Sequence, residues 1–186
     1  MTNKFRFIRT TLLCLWASLA MLGAGVAGAA SGPQIDMEVQ AALKTLYASS
    51  PTAKALGDRA TGILVFPKIV KAGFVIGGQD GDGALLKRGK RVAYYNAAAL
   101  SVGLQAGVQS FAFAIFFMRD ADMEAFEKSN GFEIGVGPSI VVLDSGAGQD
   151  INTLTSKSDV YAFVYGQTGL MAGVGLQGTK ITKVDR

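Results

Sequence analysis

The sequence predicts an α+β domain in which N-terminal helices pack on a curved, mostly antiparallel, glycine-rich β-sheet or barrel. Apolar residues recur at helical spacing between positions 35 and 46, after a targeting segment. From residue 62 onward, short apolar runs separated by turn residues predict strands instead. Glycine recurs on one face of several of these runs. Because glycine weakens a strand interior, its repeated use there indicates tight curvature or close sheet approach.

Residues 1–29 have the three parts of a cleavable signal peptide. A basic start at Lys4–Arg9 precedes an apolar stretch at Leu12–Leu22 that is short for a membrane span, and Ala27-Gly28-Ala29 supplies a cleavage signal. Cleavage is expected before Ala30 or Ser31. Residues 30–186 are then expected to form one domain, located in the periplasm or cell envelope.

Composition excludes several classes of function once this segment is removed. The whole chain has 18 basic and 14 acidic residues; three of the basic residues lie in residues 1–29, which leaves 15 against 14. So small an excess does not predict nucleic-acid binding. The only cysteine is Cys14 and there is no histidine, so thiol chemistry and a Ser-His-Asp triad are excluded. We expect no enzymatic activity, no metal and no cofactor.

Capping residues and helix-ending glycines predict three helices. Ser31 can cap a helix with Pro33 in its first turn. A shorter helix is expected to begin after Ser50 and end near Gly57, and a third to begin at Asp120 or Asp122 and end at Gly131.

Strands are predicted over most of the remaining chain. Phe74–Leu86 is interpreted as a hairpin about Gln79–Asp82, because Asp-Gly is a strong turn signal. Ser110–Met118 is continuously apolar, which indicates a strand buried on both faces. The other predicted strands are Ile63–Phe66, Val92–Tyr95, Leu100–Gln109, Phe132–Val136, Ile140–Leu143, Val160–Tyr165 and Leu170–Val184.

The same hairpin predicts a binding site for anionic groups. With Gly78 opposite Gly83, Phe74 faces Lys87 and Lys71 faces Lys90. Six basic residues would then meet at the open end of the hairpin: Lys68, Lys71, Lys87, Arg88, Lys90 and Arg91. Lys180 and Lys183 are remote in sequence and are expected to contribute little. An ordinary solvated turn at Arg88-Gly89-Lys90 remains the equal alternative.

Three shorter motifs resemble functional sites but lack essential parts. Gly173–Gly178 has the glycine spacing of a dinucleotide site without the following helix and acidic residue. Asp80-Gly81-Asp82-Gly83 resembles a calcium loop, but Arg91 stands where the loop needs Glu. Asp144-Ser145-Gly146 resembles an aspartic-protease turn, and no second copy supplies the partner carboxylate.

One run of residues resembles a known family. Val65-Phe66-Pro67 is followed by Lys71-Ala72-Gly73-Phe74 and by Gly77-Gly78, a pattern similar to that of SYLF domains. Further similarity lies in Gly103–Gln109, Gly137-Pro138 and Tyr161–Gly178, so that the resemblance covers about residues 38–186.

The SYLF resemblance implies lipid binding, with anionic phospholipids or a membrane surface as partner. A homo-oligomer is a separate expectation, which goes with a structural or interaction role. Some eukaryotic members bind actin, which is not expected of an exported chain. The predicted first helix carries Asp36 and Glu38 against Lys44, which departs from a basic membrane helix. The alternatives are a structural or interaction protein of the envelope without a lipid ligand, and a small outer-membrane β-barrel.

Overall fold

The computed structural model describes residues 30–129, 131–135, 140–144, 158–169, 176 and 178–186; within these ranges the side chains of residues 102–106 and 144 are not described. The signal-peptide prediction, the glycine motif at Gly173–Gly178 and Ser145-Gly146 therefore lie wholly or mainly outside the described residues. In the described part of the chain, no helix is both long enough and apolar enough to span a membrane.

The helices form where the capping residues predict them. Helix α1, Gly32–Ser49, begins after Ser31. The shorter α2, Pro51–Gly57, begins after Ser50, whose hydroxyl accepts a hydrogen bond from the Ala53 backbone N–H at 3.2 Å. Helix α3, Asp120–Lys128, begins after Arg119, so that Asp120 and Asp122 lie in its first turn rather than at the cap. Their negative charges stabilise the helix, because the N-terminus of a helix carries a partial positive charge.

Two long strands dominate the sheet and overturn the predicted hairpin. Strand β1, Gly62–Lys87, pairs antiparallel along its length with β2, Lys90–Phe117. The chain turns at Arg88 and Gly89, which both have positive φ, as a tight two-residue hairpin turn requires. Gln79–Asp82 lies inside β1, opposite Asn96–Ala99. The turn predicted from the Asp-Gly pairs is wrong, because Gly81 and Gly83 serve instead to let another part of β1 pack closely against this strand.

This ribbon folds back on itself near Val75. Register shifts occur between Phe66 and Ile69, where Pro67 cannot donate a hydrogen bond to the ladder, and between Phe74 and Ile76. A Cβ added at Gly83 would overlap the backbone carbonyl oxygen of Val65, and one at Gly81 would overlap that of Lys68. The two halves of β1 therefore approach so closely that only glycine fits at these positions. We call this close contact between the two halves the seam of β1.

Four shorter strands complete a curled sheet. Strand β5, Val160–Gly169, pairs with the end of β2, and β6, Lys180–Val184, pairs antiparallel with its beginning. Strand β3, Gly131–Glu133, adds to β6, and β4, Val141–Asp144, adds to β5 as the one parallel pairing among the described strands. The α+β class with a curved, mostly antiparallel sheet is confirmed.

The sheet is buried on both faces, as the apolar run Ser110–Met118 predicts. On the outer face, Ala112, Ala114 and Phe116 pack with residues of α1 and α2. On the inner face, Phe111, Phe113, Ile115 and Phe117 form the centre of the curl with α3. Alternate residues of one strand thus stabilise two separate cores.

Candidate functional site

The structure does not bring the six predicted basic residues together. Because the turn lies at Arg88-Gly89, Lys87 pairs with Lys90, whereas Lys71 pairs with Gln109 and not with Lys90. Because β1 folds back near Val75, Lys68 lies beside Gly81, and the strand from Gly81 to Lys87 spans about 20 Å at about 3.3 Å per residue. The predicted cluster is therefore divided into Lys68 and Lys71 on one half of β1 and a basic turn at its end.

The basic turn, Lys87, Arg88 and Lys90, carries three cations without an ion-pair partner among the described residues. Arg91 differs, because its Nε lies 3.0 Å from Asp36 Oδ1 on α1 and its guanidinium stacks over the Tyr94 ring at 4.5 Å. Asp36 also accepts a hydrogen bond from the Tyr94 hydroxyl at 3.2 Å. Arg91 thus holds α1 on the sheet, and its charge is largely neutralised.

Asp80 and Asp82 lie on one face of β1 and have structural partners. Asn96 donates hydrogen bonds to Asp80 at 3.0 Å and Asp82 at 3.1 Å. Arg186 donates to both carboxylate oxygens of Asp82 at 2.9 Å, and this hydrogen bonding raises the pKa of Arg186. Asp82 thus fastens the C-terminal Arg186 to the sheet, whereas Asp80 is held by Asn96. In the described residues no group of three metal-binding side chains is found.

A cluster of exposed apolar side chains lies at the bend of the ribbon near Val75, midway along β1 and away from the basic turn. Phe74 is 80% exposed, Ile76 68% and Leu100 89%. Val75, between the first two, has φ of 67°, which is rare for a β-branched residue. We call Phe74, Val75, Ile76 and Leu100 the apolar end. Large contiguous exposed apolar surface is uncommon in soluble proteins and marks interaction sites.

An open groove of about 730 Å³ continues from the apolar end along the outer face of the sheet. Val70, Ala72, Ala98 and Leu100 line it, and Asp80 and Lys180 supply its charged groups. It is a continuation of the face that α1 and α2 cover, because Asp80 and Ala98 follow Ala84 and Tyr94 on that face at two-residue intervals. Lys180 is thus next to a candidate site rather than remote from one.

Sequence reasoning missed the apolar end, although a signal was present. The run Phe74-Val75-Ile76 lies between glycines at Gly73 and Gly77 and does not alternate with polar residues. The Asp-Gly signal predicts that this run lies in one strand of a short hairpin, where one face would be buried. The bend at Val75 instead exposes the whole run. Because a β-branched residue rarely adopts a positive φ, the sequence does not predict a bend at this position.

Residues 98–186 match the family model described as Ysc84, Las17-binding protein actin regulator, which is the SYLF domain family. This match confirms the resemblance of the chain to SYLF domains. No curated protein matches the chain.

The SYLF match covers β2 from Ala98 onward and all later described elements, so it includes Ala98, Leu100 and Lys180 of the groove. The motif residues Val65–Gly78 precede the matched range. They nevertheless pair with SYLF residues, because Gly78 lies opposite Leu100 and Phe66 opposite Phe113. The apolar end is thus built from the matched SYLF segment and from the strand that precedes it.

Proposed function

We propose that this chain is an exported, non-enzymatic lipid-binding protein that docks on anionic membrane surfaces through its apolar end. The observation that carries the proposal is the exposure of Phe74, Ile76 and Leu100 at one end of an otherwise well-buried sheet. The SYLF match supports a lipid-binding or actin-related role at the level of the family. The predicted signal peptide favours the lipid, because actin is not expected outside the cytoplasm.

Burial of the apolar end in a membrane would supply a substantial binding energy. Fully burying a Phe, Leu or Ile side chain contributes about 1.5–3 kcal/mol. Three such side chains would contribute several kcal/mol before the entropy cost of docking, which is of similar size. The proposal therefore describes reversible peripheral binding, with the rest of the domain remaining in water.

Selectivity for anionic lipid would come from Lys180, which lines the groove that continues from the apolar end. A lysine near an anionic membrane surface contributes about 1 kcal/mol, and this contribution falls with added salt. The basic turn is a second candidate contact, and the second half of β1 separates it from the bend, so that experiments can distinguish the two.

Vesicle composition tests the proposal. A chain beginning at Ala30 should bind phosphatidylglycerol vesicles more tightly than phosphatidylcholine vesicles, because the apolar end contributes on both surfaces and Lys180 contributes only on the anionic one. Raising the salt concentration from 50 to 500 mM should weaken the binding several-fold, since surface charges are screened. Co-sedimentation with vesicles measures both effects. Equal binding to the two vesicle types, or none to either, would contradict the proposal.

A further inference from the structure

A layer of polar side chains lies inside the curl, directly beneath the apolar end. Lys71 pairs with Gln109, Gln79 with Ala99, and Gly77 with Ser101. These residues lie on the same face as Ile69, Phe111 and Ala97, which belong to the inner core. The inner core therefore ends in a polar layer, Lys71, Gln79, Ser101 and Gln109, instead of continuing with apolar side chains.

The seam of β1 brings this layer together. A Cβ placed on Gly77 would lie 3.0 Å from the Ser101 hydroxyl oxygen and 3.1 Å from the Ala72 carbonyl oxygen. The half of β1 that carries Lys71 thus runs beside the half that carries Gln79. Directly opposed residues of antiparallel strands have Cβ atoms about 5 Å apart, so Gln109 lies next to Lys71.

Of the four side chains in this layer, Gln79 has a hydrogen-bond partner, whereas Ser101, Gln109 and Lys71 each keep a polar or charged atom without a partner among the described residues. Gln79, which is 7% exposed, donates a hydrogen bond to the fully buried Thr179 hydroxyl at 2.8 Å. Gln109 is 4% exposed, and its side-chain oxygen has no hydrogen-bond partner; the buried Ser101 hydroxyl has none either. Lys71 is partly buried and forms no ion pair with any described residue.

We propose that Lys71, Ser101 and Gln109 form a binding site for a phosphate-type oxyanion. Buried polar groups without partners are costly, so an unpaired amide and hydroxyl beside an ammonium group indicate that a ligand completes the network. The position is unsuited to a metal ion, because Lys71 brings a positive charge to this layer. Lys71 leaves the site partly open to solvent, which provides a route of entry.

The hydrogen-bonding groups favour phosphate over a carboxylate. The Lys71 ammonium group donates up to three hydrogen bonds and needs acceptors, whereas the Gln109 side-chain oxygen needs a donor, and the Ser101 hydroxyl serves as either. A protonated phosphate oxygen donates while the other oxygens accept, whereas a carboxylate ion only accepts. Inorganic phosphate presents this chemistry through its own P–OH group, and phosphatidylglycerol presents it through phosphate oxygens that accept and glycerol hydroxyls that donate.

Matched substitutions test the site with inorganic phosphate as the probe. Titration followed by calorimetry should show binding to the chain beginning at Ala30, and Lys71→Met should weaken it at least tenfold. Lys68→Met is the control, because Lys68 lies three residues away on the exposed bulge; it should leave the affinity unchanged within twofold. Gln109→Leu should lose phosphate binding and raise the melting temperature without phosphate, since it removes an unsatisfied buried group.

Vesicles identify the source of the phosphate. If Lys71→Met weakens binding to phosphatidylglycerol vesicles more than Lys68→Met does, while inorganic phosphate does not bind, the ligand is the lipid head group. If inorganic phosphate binds in a Lys71-dependent way, the ligand is a free anion, and this result stands even if vesicle docking fails. If Lys71→Met and Lys68→Met behave alike in both experiments, the site does not exist.

Discussion

Replacing Gly83 with alanine should destabilise the protein by about 3 kcal/mol, at the upper end of the range for inserting one methyl group into a packed core. The added Cβ would overlap the Val65 carbonyl oxygen and lie 2.6 Å from the Phe66 ring. Neither neighbour can move easily. The Val65 carbonyl group belongs to the backbone of a buried strand, and the Phe66 ring is fully buried and stacked on the Phe113 ring at 4.6 Å. Denaturant unfolding followed by circular dichroism measures the loss.

Gly78→Ala is the matched control on the same strand. A Cβ at Gly78 would make only ordinary contacts, at 3.6 Å to Ala99 and 3.8 Å to Leu100. Alanine also loses less conformational freedom than glycine on folding, so this variant should be unchanged or slightly more stable. A short hairpin about Gln79–Asp82 would place Gly78 and Gly83 opposite each other. If the two substitutions changed the free energy of unfolding equally, the close approach of the two halves of β1 at Gly83 would be contradicted.

Replacing the apolar end with serine should reduce binding to phosphatidylglycerol vesicles by at least about 100-fold. Phe74→Ser, Ile76→Ser and Leu100→Ser together remove three side chains whose insertion supplies about 1.5 kcal/mol each at the lower estimate. A factor of ten in affinity corresponds to 1.4 kcal/mol. Because all three side chains are at least 68% exposed in the free protein, stability should change little. Vesicle co-sedimentation and thermal unfolding measure the two quantities.

A second triple variant controls for the loss of exposed apolar surface in general. Met37, Val92 and Val142 are 68%, 44% and 49% exposed and lie on α1, β2 and β4, away from the apolar end. Their replacement by serine should leave vesicle affinity unchanged within about threefold. Similar losses in the two triple variants would mean that binding does not depend on the apolar end.

The fold could be predicted from sequence where a local signal matched the final structure. Ser50 and Pro51 mark the start of α2, and Ser110–Met118 is buried on both faces because its alternate residues serve two cores. The hairpin failed for a physical reason. Asp-Gly pairs favour a turn only when the chain is free to turn, and here Gly81 and Gly83 are required by the close approach of the two halves of β1.

The candidate site was harder to predict, because it depends on which residues become neighbours. Six basic residues close in sequence suggested one cluster, but pairing of Lys71 with Gln109 removes Lys71 from it. Arg91 could not be distinguished from Lys90 by sequence, yet it alone meets Asp36. The unpaired Gln109 and Ser101 looked like ordinary polar residues in a strand, and only the pairing of β1 with β2 places them beside Lys71.

Tryptophan fluorescence tests the docking proposal most directly. The only tryptophan of the chain is Trp16, so a protein beginning at Ala30 has none. Phe74→Trp then places one probe at the apolar end, and Val92→Trp places one near the basic turn. With phosphatidylglycerol vesicles, the Phe74→Trp variant should show an emission shift to shorter wavelength and quenching by brominated lipid, whereas the Val92→Trp variant should show neither. A response of the Val92→Trp variant alone, or of neither variant, would contradict docking through the apolar end.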